Sequence, residues 1–221
     1  GTDMETNDLI KAIARDAAAP RLSLGLLLLG ACGLASVIAA VVFSTLLGPR
    51  PDFAEAAHTA RFLLKFVITA TLAVTALFQV AELARPNSRP RRRGALLAIA
   101  PAILLAAILM EIATIPTAEW GARLVGTNSL ICLTMIPLIG LGPLAVLLAA
   151  LRHGATTRPG LAGAACGLLA GGIAATFYAA HCFDDSPFFV ATWYSLAIAI
   201  LTLAGAAAGR RAGSLGRAAG L

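Results

Sequence analysis

Charged residues are scarce in this sequence: Asp, Glu, Lys and Arg supply 13% of its 221 residues, where a soluble domain carries roughly 25%. Aromatic residues supply only 6%. Apolar residues reach 59%, against roughly 45–50% in soluble domains. That excess cannot be hidden inside a soluble fold of this length. Common catalytic signals are also missing. No phosphate-binding glycine loop, zinc-protease helix or nucleophile elbow occurs, and no cofactor is expected. The four cysteines contain no Cys-x-x-Cys, which speaks against a thioredoxin-like dithiol enzyme. The net charge of +6 is not arranged as a basic run interleaved with aromatics, so nucleic acid is not an expected partner.

What is present in quantity is uninterrupted apolar sequence. Six stretches stand out: Leu22–Leu47, Phe62–Ala84, Gly94–Ile115, Asn128–Leu151, Pro159–Ala180 and Phe188–Gly209. Each approaches or exceeds the roughly 20 residues a helix needs to cross a bilayer. Turn-forming residues separate them, including Gly48-Pro49-Arg50-Pro51, Arg85-Pro86-Asn87, Pro116, Arg152-His153-Gly154 and Ser186-Pro187. The first run is too long for the h-region of a signal peptide and reads as a retained span. The expectation is an all-α, polytopic membrane protein with six transmembrane helices, embedded in the lipid bilayer. Pro101, Pro137 and Pro143 lie inside spans and are expected to kink them. Gly163, Gly167 and Gly171 share one face of the fifth span, where another helix can approach closely.

Basic residues set an expected orientation. Thirteen Lys and Arg fall in the N-terminal segment, the second and fourth connections and the C-terminal tail, against three in the other connections. Lys and Arg accumulate on the cytoplasmic side, which places both termini inside. The domain plan is then a cytoplasmic N-terminal segment 1–21, a six-helix membrane domain 22–209 and a cytoplasmic tail 210–221. Lys65 and Glu111 stand near the outer ends of spans two and three; they can pair with each other or snorkel separately. Gln79 and Glu82, near the inner end of span two, are expected to snorkel. His58 and His153 read as solvated.

This topology sorts the cysteines. Cys32 and Cys166 fall within spans and read as small apolar fillers. Cys132 lies about one turn into span four, and Cys182 lies in the fifth connection, so both are expected at the outer face, where disulfides persist. They are candidates for a structural disulfide, for two unrelated thiols or for a redox switch. Beside Cys182 stand His181, Asp184 and Asp185. An imidazolium would favour the Cys182 thiolate and the aspartates would oppose it. His181, Cys182 and Asp185, with Asp184, are also ligand types for a metal ion.

Before span one, Asn7 or Thr6 can cap a helix whose first turn holds Asp8. Leu9, Ile10, Ile13, Ala14 and Ala17 fall on one face. So short an amphipathic helix is marginal alone in water and must pack on membrane, inner loops or a partner.

Several segments together resemble the NrsF family. They are Asn7-Asp8-Leu9-Ile10, Gly48-Pro49-Arg50-Pro51, Arg61-Phe62-Leu63-Leu64-Lys65, Trp120-Gly121-Ala122-Arg123 with Asn128 and Cys132, and His181-Cys182-Phe183-Asp184-Asp185-Ser186-Pro187 followed by Trp193-Tyr194-Ser195. The likeness covers nearly the whole chain. It implies a bacterial inner-membrane anti-sigma factor, not an enzyme, that restrains an extracytoplasmic-function sigma factor at the cytoplasmic face. It further implies that Cys132 and Cys182 mediate release under oxidative or heavy-metal stress. The N-terminal residues Asp8, Leu9, Ile10 and Ile13 are then the expected sigma-factor-binding surface. A small membrane transporter or membrane-bound enzyme is the alternative, motivated by the kinked spans and the Lys65 and Glu111 charges.

Overall fold

A computed structural model describes residues 23–86 and 94–218. The expected N-terminal amphipathic helix, with Asp8, Leu9, Ile10 and Ile13, lies outside the described residues. Six helices are long and apolar enough to cross a membrane: Leu24–Leu46, Ala60–Leu83, Ala95–Thr114, Ser129–Leu151, Pro159–Ala179 and Pro187–Ser214. All six expected spans are found, and their boundaries move by only a few residues apart from the longer final helix.

In chain order the elements are α1 (Leu24–Leu46), α2 (Phe53–Ala56), α3 (Ala60–Leu83), α4 (Ala95–Thr114), α5 (Thr117–Val125), α6 (Ser129–Leu151), α7 (Pro159–Ala179) and α8. The last, α8, passes through Pro187–Phe189 and a π-helical segment, Val190–Tyr194, before continuing as Ser195–Ala218. No strand occurs among the described residues. The starts of these helices follow local chemistry. The Ser23 hydroxyl accepts from the Leu26 amide at 3.3 Å at the head of α1. Pro159 and Pro187 open α7 and α8, where a missing amide hydrogen does no harm. Pro137 and Pro143 sit inside α6, which nevertheless continues as one helix.

The centre of the bundle is α7, of whose most apolar window 67% is buried. It packs against α8, α3 and α6, with α1 laid on α6 and α4 on the periphery against α3. Small residues make this possible. A β-carbon added at Gly163 would strike the Gly205 carbonyl oxygen, and one at Gly167 would strike the Leu201 carbonyl oxygen. From α8, β-carbons at Gly205 and Gly209 would strike the Gly163 and Pro159 carbonyl oxygens. The glycine face anticipated on the fifth span therefore meets a second one on the sixth.

Three expectations need correction. The third connection is not a simple break at Pro116, because it contains the helix α5. Lys65 and Glu111 neither pair with each other nor snorkel: their exposures are 1% and 3%, and each has other partners. Gln79 is buried rather than snorkelling and lies beside Gly94, while Glu82 is half-buried. His58 and His153 are exposed, as anticipated.

Candidate functional site

The connection between α7 and α8, residues 180–186, closes one end of the bundle, and most of the polar contacts between elements gather on it. His181 leaves the end of α7 and places Nδ1 3.0 Å from the Gly48 carbonyl oxygen. Gly48, at φ +71°, supplies the left-handed turn that ends α1. The imidazole therefore turns toward the first connection. The backbone amide of Arg50 donates to the Ala180 carbonyl at 3.0 Å, which ties the same two segments again.

Cys182 is fully buried. Its carbonyl oxygen accepts from Lys65 Nζ at 2.8 Å and from the Arg50 guanidinium at 3.4 Å. Lys65 also pairs with Asp185. Arg50 reaches Asp185 at 3.2 Å and Asp52 at 2.7 Å, and its guanidinium lies over the Phe183 ring at 4.6 Å. Two cations and two carboxylates thus alternate around the Cys182 peptide. The Asp52 carboxylate holds the Arg50 guanidinium above its ordinary pKa, and the Arg50 hydrogen bond holds Asp52 below the usual carboxylate range.

Asp184 has a separate task. Its carboxylate accepts from the backbone amides of Thr127, at 3.0 Å, and Asn128, at 2.8 Å, and from the Asn128 side chain at 3.2 Å. These are the residues immediately before α6. Gly126, at φ +59°, makes the turn there, and a β-carbon on it would overlap Asp184 and Phe189. Cys132 occupies the first turn of α6 and is fully buried. Ser186 donates to Glu111 at 3.2 Å, and Glu111 also pairs with Arg61 at 3.4 Å and Arg123 at 3.3 Å. The connection is thereby fastened to the first connection, α3, α4 and the start of α6.

Two of the sequence-predicted residues come together. Cys132 and Cys182 are free, fully buried thiols in the same hydrophobic cluster. Tyr178 from α7 and Tyr194 from the π segment of α8 belong to it as well. Their rings meet edge to face at 5.7 Å. Burial pushes the Cys182 thiol up and the Asp184 charge adds to that, whereas the Lys65 ammonium and a backbone hydrogen bond at Asp184 draw it back. The other candidates diverge. His181, Asp184 and Asp185 face Gly48, the amides before α6, and Lys65 with Arg50. No group of three or more His, Cys, Asp or Glu gathers as a metal site among the described residues. Cys166 is buried and Cys32 half-buried in the helical core, as fillers should be.

The parts played by Arg50, Arg61, Arg123 and Tyr178 go beyond the sequence expectations. Tyr178 carried a usable signal: a tyrosine near the end of a span must place its hydroxyl somewhere. The arginines gave none beyond lying in connections or first turns.

The chain matches the model of the family described as NrsF, negative regulator of sigma F, over residues 13–212. It is 37% identical over 213 residues to the anti-sigma-F factor NrsF of Caulobacter vibrioides (strain NA1000 / CB15N), covering 94% of this chain and 98% of that one. It is 30% identical over 204 residues to the probable anti-sigma-F factor NrsF of Azospira oryzae (strain ATCC BAA-33 / DSM 13638 / PS), covering 89% and 93%. No solved structure matches.

Proposed function

This chain belongs to the NrsF family of negative regulators of sigma F, and from that premise we propose that it is a thiol-controlled anti-sigma factor of the bacterial inner membrane. It holds an extracytoplasmic-function sigma factor at the cytoplasmic face and releases it when Cys132 and Cys182 are oxidised to a disulfide. The observation that carries the thiol part is that two free, fully buried thiols from different elements belong to one hydrophobic cluster at the connection before α8. The distribution of Lys and Arg supports the orientation. Residues 1–21 and 210–221 then face the cytoplasm, and the amphipathic face around Asp8, Leu9, Ile10 and Ile13 is the sigma-factor-binding element.

Oxidation is a two-electron step. The two thiols lose two electrons and two protons, and a hydroperoxide accepts them and leaves as alcohol and water. The new S–S bond draws the Cys182 peptide toward α6, against its hydrogen bonds to Lys65 and Arg50. Because α7 and α8 are locked by reciprocal glycine contacts, displacement at the connection carries to their far ends. A release switch requires the two arrangements to differ by only a few kcal/mol. His181, Asp184 and Asp185 are diverted elsewhere, so a soft metal ion would find only the two thiols as ligands.

Replacing both cysteines with Ser should leave sigma-factor binding intact and abolish release by hydroperoxide; unchanged release in that variant sinks the thiol reading. A soft metal ion titrated in without oxidant separates the two stimuli. Ile10→Pro or Ile13→Pro should free the sigma factor constitutively, and normal co-purification would exclude the N-terminal helix as the binding element. Of the two motives for the transporter or enzyme alternative, the charges Lys65 and Glu111 are engaged in ion pairs at one end of the bundle.

A further inference from the structure

The two tyrosines in the thiol pocket have no role yet. Tyr178 and Tyr194 are among the largest fully buried side chains. Among the described residues neither hydroxyl has a hydrogen-bond partner. A buried hydroxyl without a partner costs about 1–3 kcal/mol, and two in one pocket call for an explanation. Both belong to the buried cluster that holds Cys182 and Cys132, the Cys182 amide donates to the Tyr178 carbonyl at 3.1 Å, and the Tyr194 ring packs on that of Tyr178. A neutral thiol is a weak acceptor, whereas a thiolate accepts strongly.

Cys132 has a different setting. It lies at the start of α6, where helix amides would favour a negative charge. The Asp184 carboxylate already occupies the amides of residues 127 and 128 there. Its own amide donates within the helix, to the Asn128 carbonyl at 2.8 Å. The two cysteines are therefore not equivalent.

We infer that Tyr178 and Tyr194 are the hydrogen-bond donors that receive the Cys182 thiolate, so that Cys182 is oxidised first and Cys132 closes the disulfide. This rests on the thiol-oxidation reading above. In the first step the Cys182 thiolate attacks the terminal oxygen of a hydroperoxide. An S–O bond forms, the O–O bond breaks, and the leaving alkoxide takes up the proton the thiol gave. Cys182 is then a sulfenic acid. In the second, the Cys132 sulfur attacks the Cys182 sulfur. An S–S bond forms, the S–O bond breaks, and the hydroxyl leaves with the Cys132 proton as water. Two thiols and one hydroperoxide give one disulfide, one alcohol and one water.

Other groups facing the pocket are accounted for. Lys65 from α3 approaches through the Cys182 carbonyl, and Arg50 from the first connection shares that contact. His181 faces Gly48, Asp185 faces Lys65 and Arg50, and Asp184 faces the residues before α6. The tyrosine hydroxyls are the uncommitted donors.

The test uses the full chain in lipid nanodiscs, with Cys182 left as the only cysteine. Ultraviolet absorbance of the thiolate is followed against pH, with the chain lacking Cys182 as the blank. Tyr178→Phe with Tyr194→Phe should raise the thiolate midpoint by about one pH unit, a roughly tenfold loss of thiolate at fixed pH. Thermal stability should hold or rise, because phenylalanine fills the same space without an orphan hydroxyl. An unmoved midpoint in the folded double variant overturns the donor role, and a purely packing role would give that result. The order of attack is read separately with a sulfenic-acid trap, dimedone, and hydrogen peroxide. Cys132→Ser should be trapped at Cys182, and Cys182→Ser should take no label at Cys132. Label on Cys132 overturns the assignment. If the unsubstituted chain forms no disulfide with peroxide, the oxidation reading and the order of attack fail together, while the thiolate titration still decides the tyrosines.

Discussion

Removing the charge from Lys65 creates two defects. Asp185 keeps only Arg50, and the Cys182 carbonyl keeps only the longer contact at 3.4 Å. Lys65 is 1% exposed, so water cannot substitute. Breaking a buried pair by deleting one partner costs about 3–5 kcal/mol. The Asp185 side chain is 22% exposed, which puts Lys65→Met near the lower bound, about 3 kcal/mol. Arg61→Met deletes a cation that is 46% exposed, and Glu111 retains Arg123; the expected loss is within about 1 kcal/mol. Thermal unfolding of both variants in detergent checks the order, and equal losses would contradict it.

Asp52 allows a pH prediction at the same scale. Its folded pKa lies below the ordinary carboxylate value because Arg50 donates to it. Its contribution is therefore fully present above the unfolded pKa and is lost as pH falls through the folded one. Asp52→Asn removes that part of the dependence. Melting temperature plotted against pH should fall less steeply on the acid side in this variant, and identical slopes would show that Asp52 contributes nothing.

At the scale of elements, the contact between α7 and α8 is the one most sensitive to small changes. A methyl group at Gly163 meets a backbone carbonyl, which cannot rotate aside as a side chain can. Overpacking of this kind costs about 1–3 kcal/mol. Gly30 in α1 offers a control, since a β-carbon there meets nothing within 4 Å. Gly163→Ala should destabilise by that amount, whereas Gly30→Ala should be neutral or stabilising by up to about 1 kcal/mol. Both are read from thermal unfolding, and a harmless Gly163→Ala would mean that the helices can separate without loss.

The same helices show what sequence could reveal. Hydropathy located all six spans because lipid demands a long apolar run from each one independently. The spacing of Gly163, Gly167 and Gly171 announces a close approach, and Gly205 and Gly209 repeat it weakly on the sixth span, but that the two faces meet each other appears only once α8 lies alongside. Cys132 and Cys182 could be placed in depth but not in contact. What ties the Cys182 connection to the start of α6 is the Asp184 carboxylate on the Asn128 amide, across 56 positions. The charges were misread for the same reason. By depth Lys65 and Glu111 could pair with each other or snorkel separately, yet each is satisfied by connections whose course no periodicity encodes. The helix α5 was missed because it is short and amphipathic between two breaks.

For the whole molecule, the proposed function depends on which end of the bundle faces which compartment. Thirteen Lys and Arg fall in the N-terminal segment, the second and fourth connections and the tail, against three in the other connections, which predicts that the Cys182 connection faces outward. A chain stripped of its own cysteines can report this through single replacements in exposed positions. Glu55 in the first connection and Thr157 in the fourth are both exposed. Glu55→Cys should react with a membrane-impermeant maleimide on intact cells, whereas Thr157→Cys should react only after permeabilisation. The reversed pattern would do more than invert the topology. It would place Cys132 and Cys182 toward the reducing cytoplasm, where disulfides do not persist, and would put residues 1–21 on the side opposite any sigma factor. Sensing outside and binding inside thus stand or fall together on one labelling pattern.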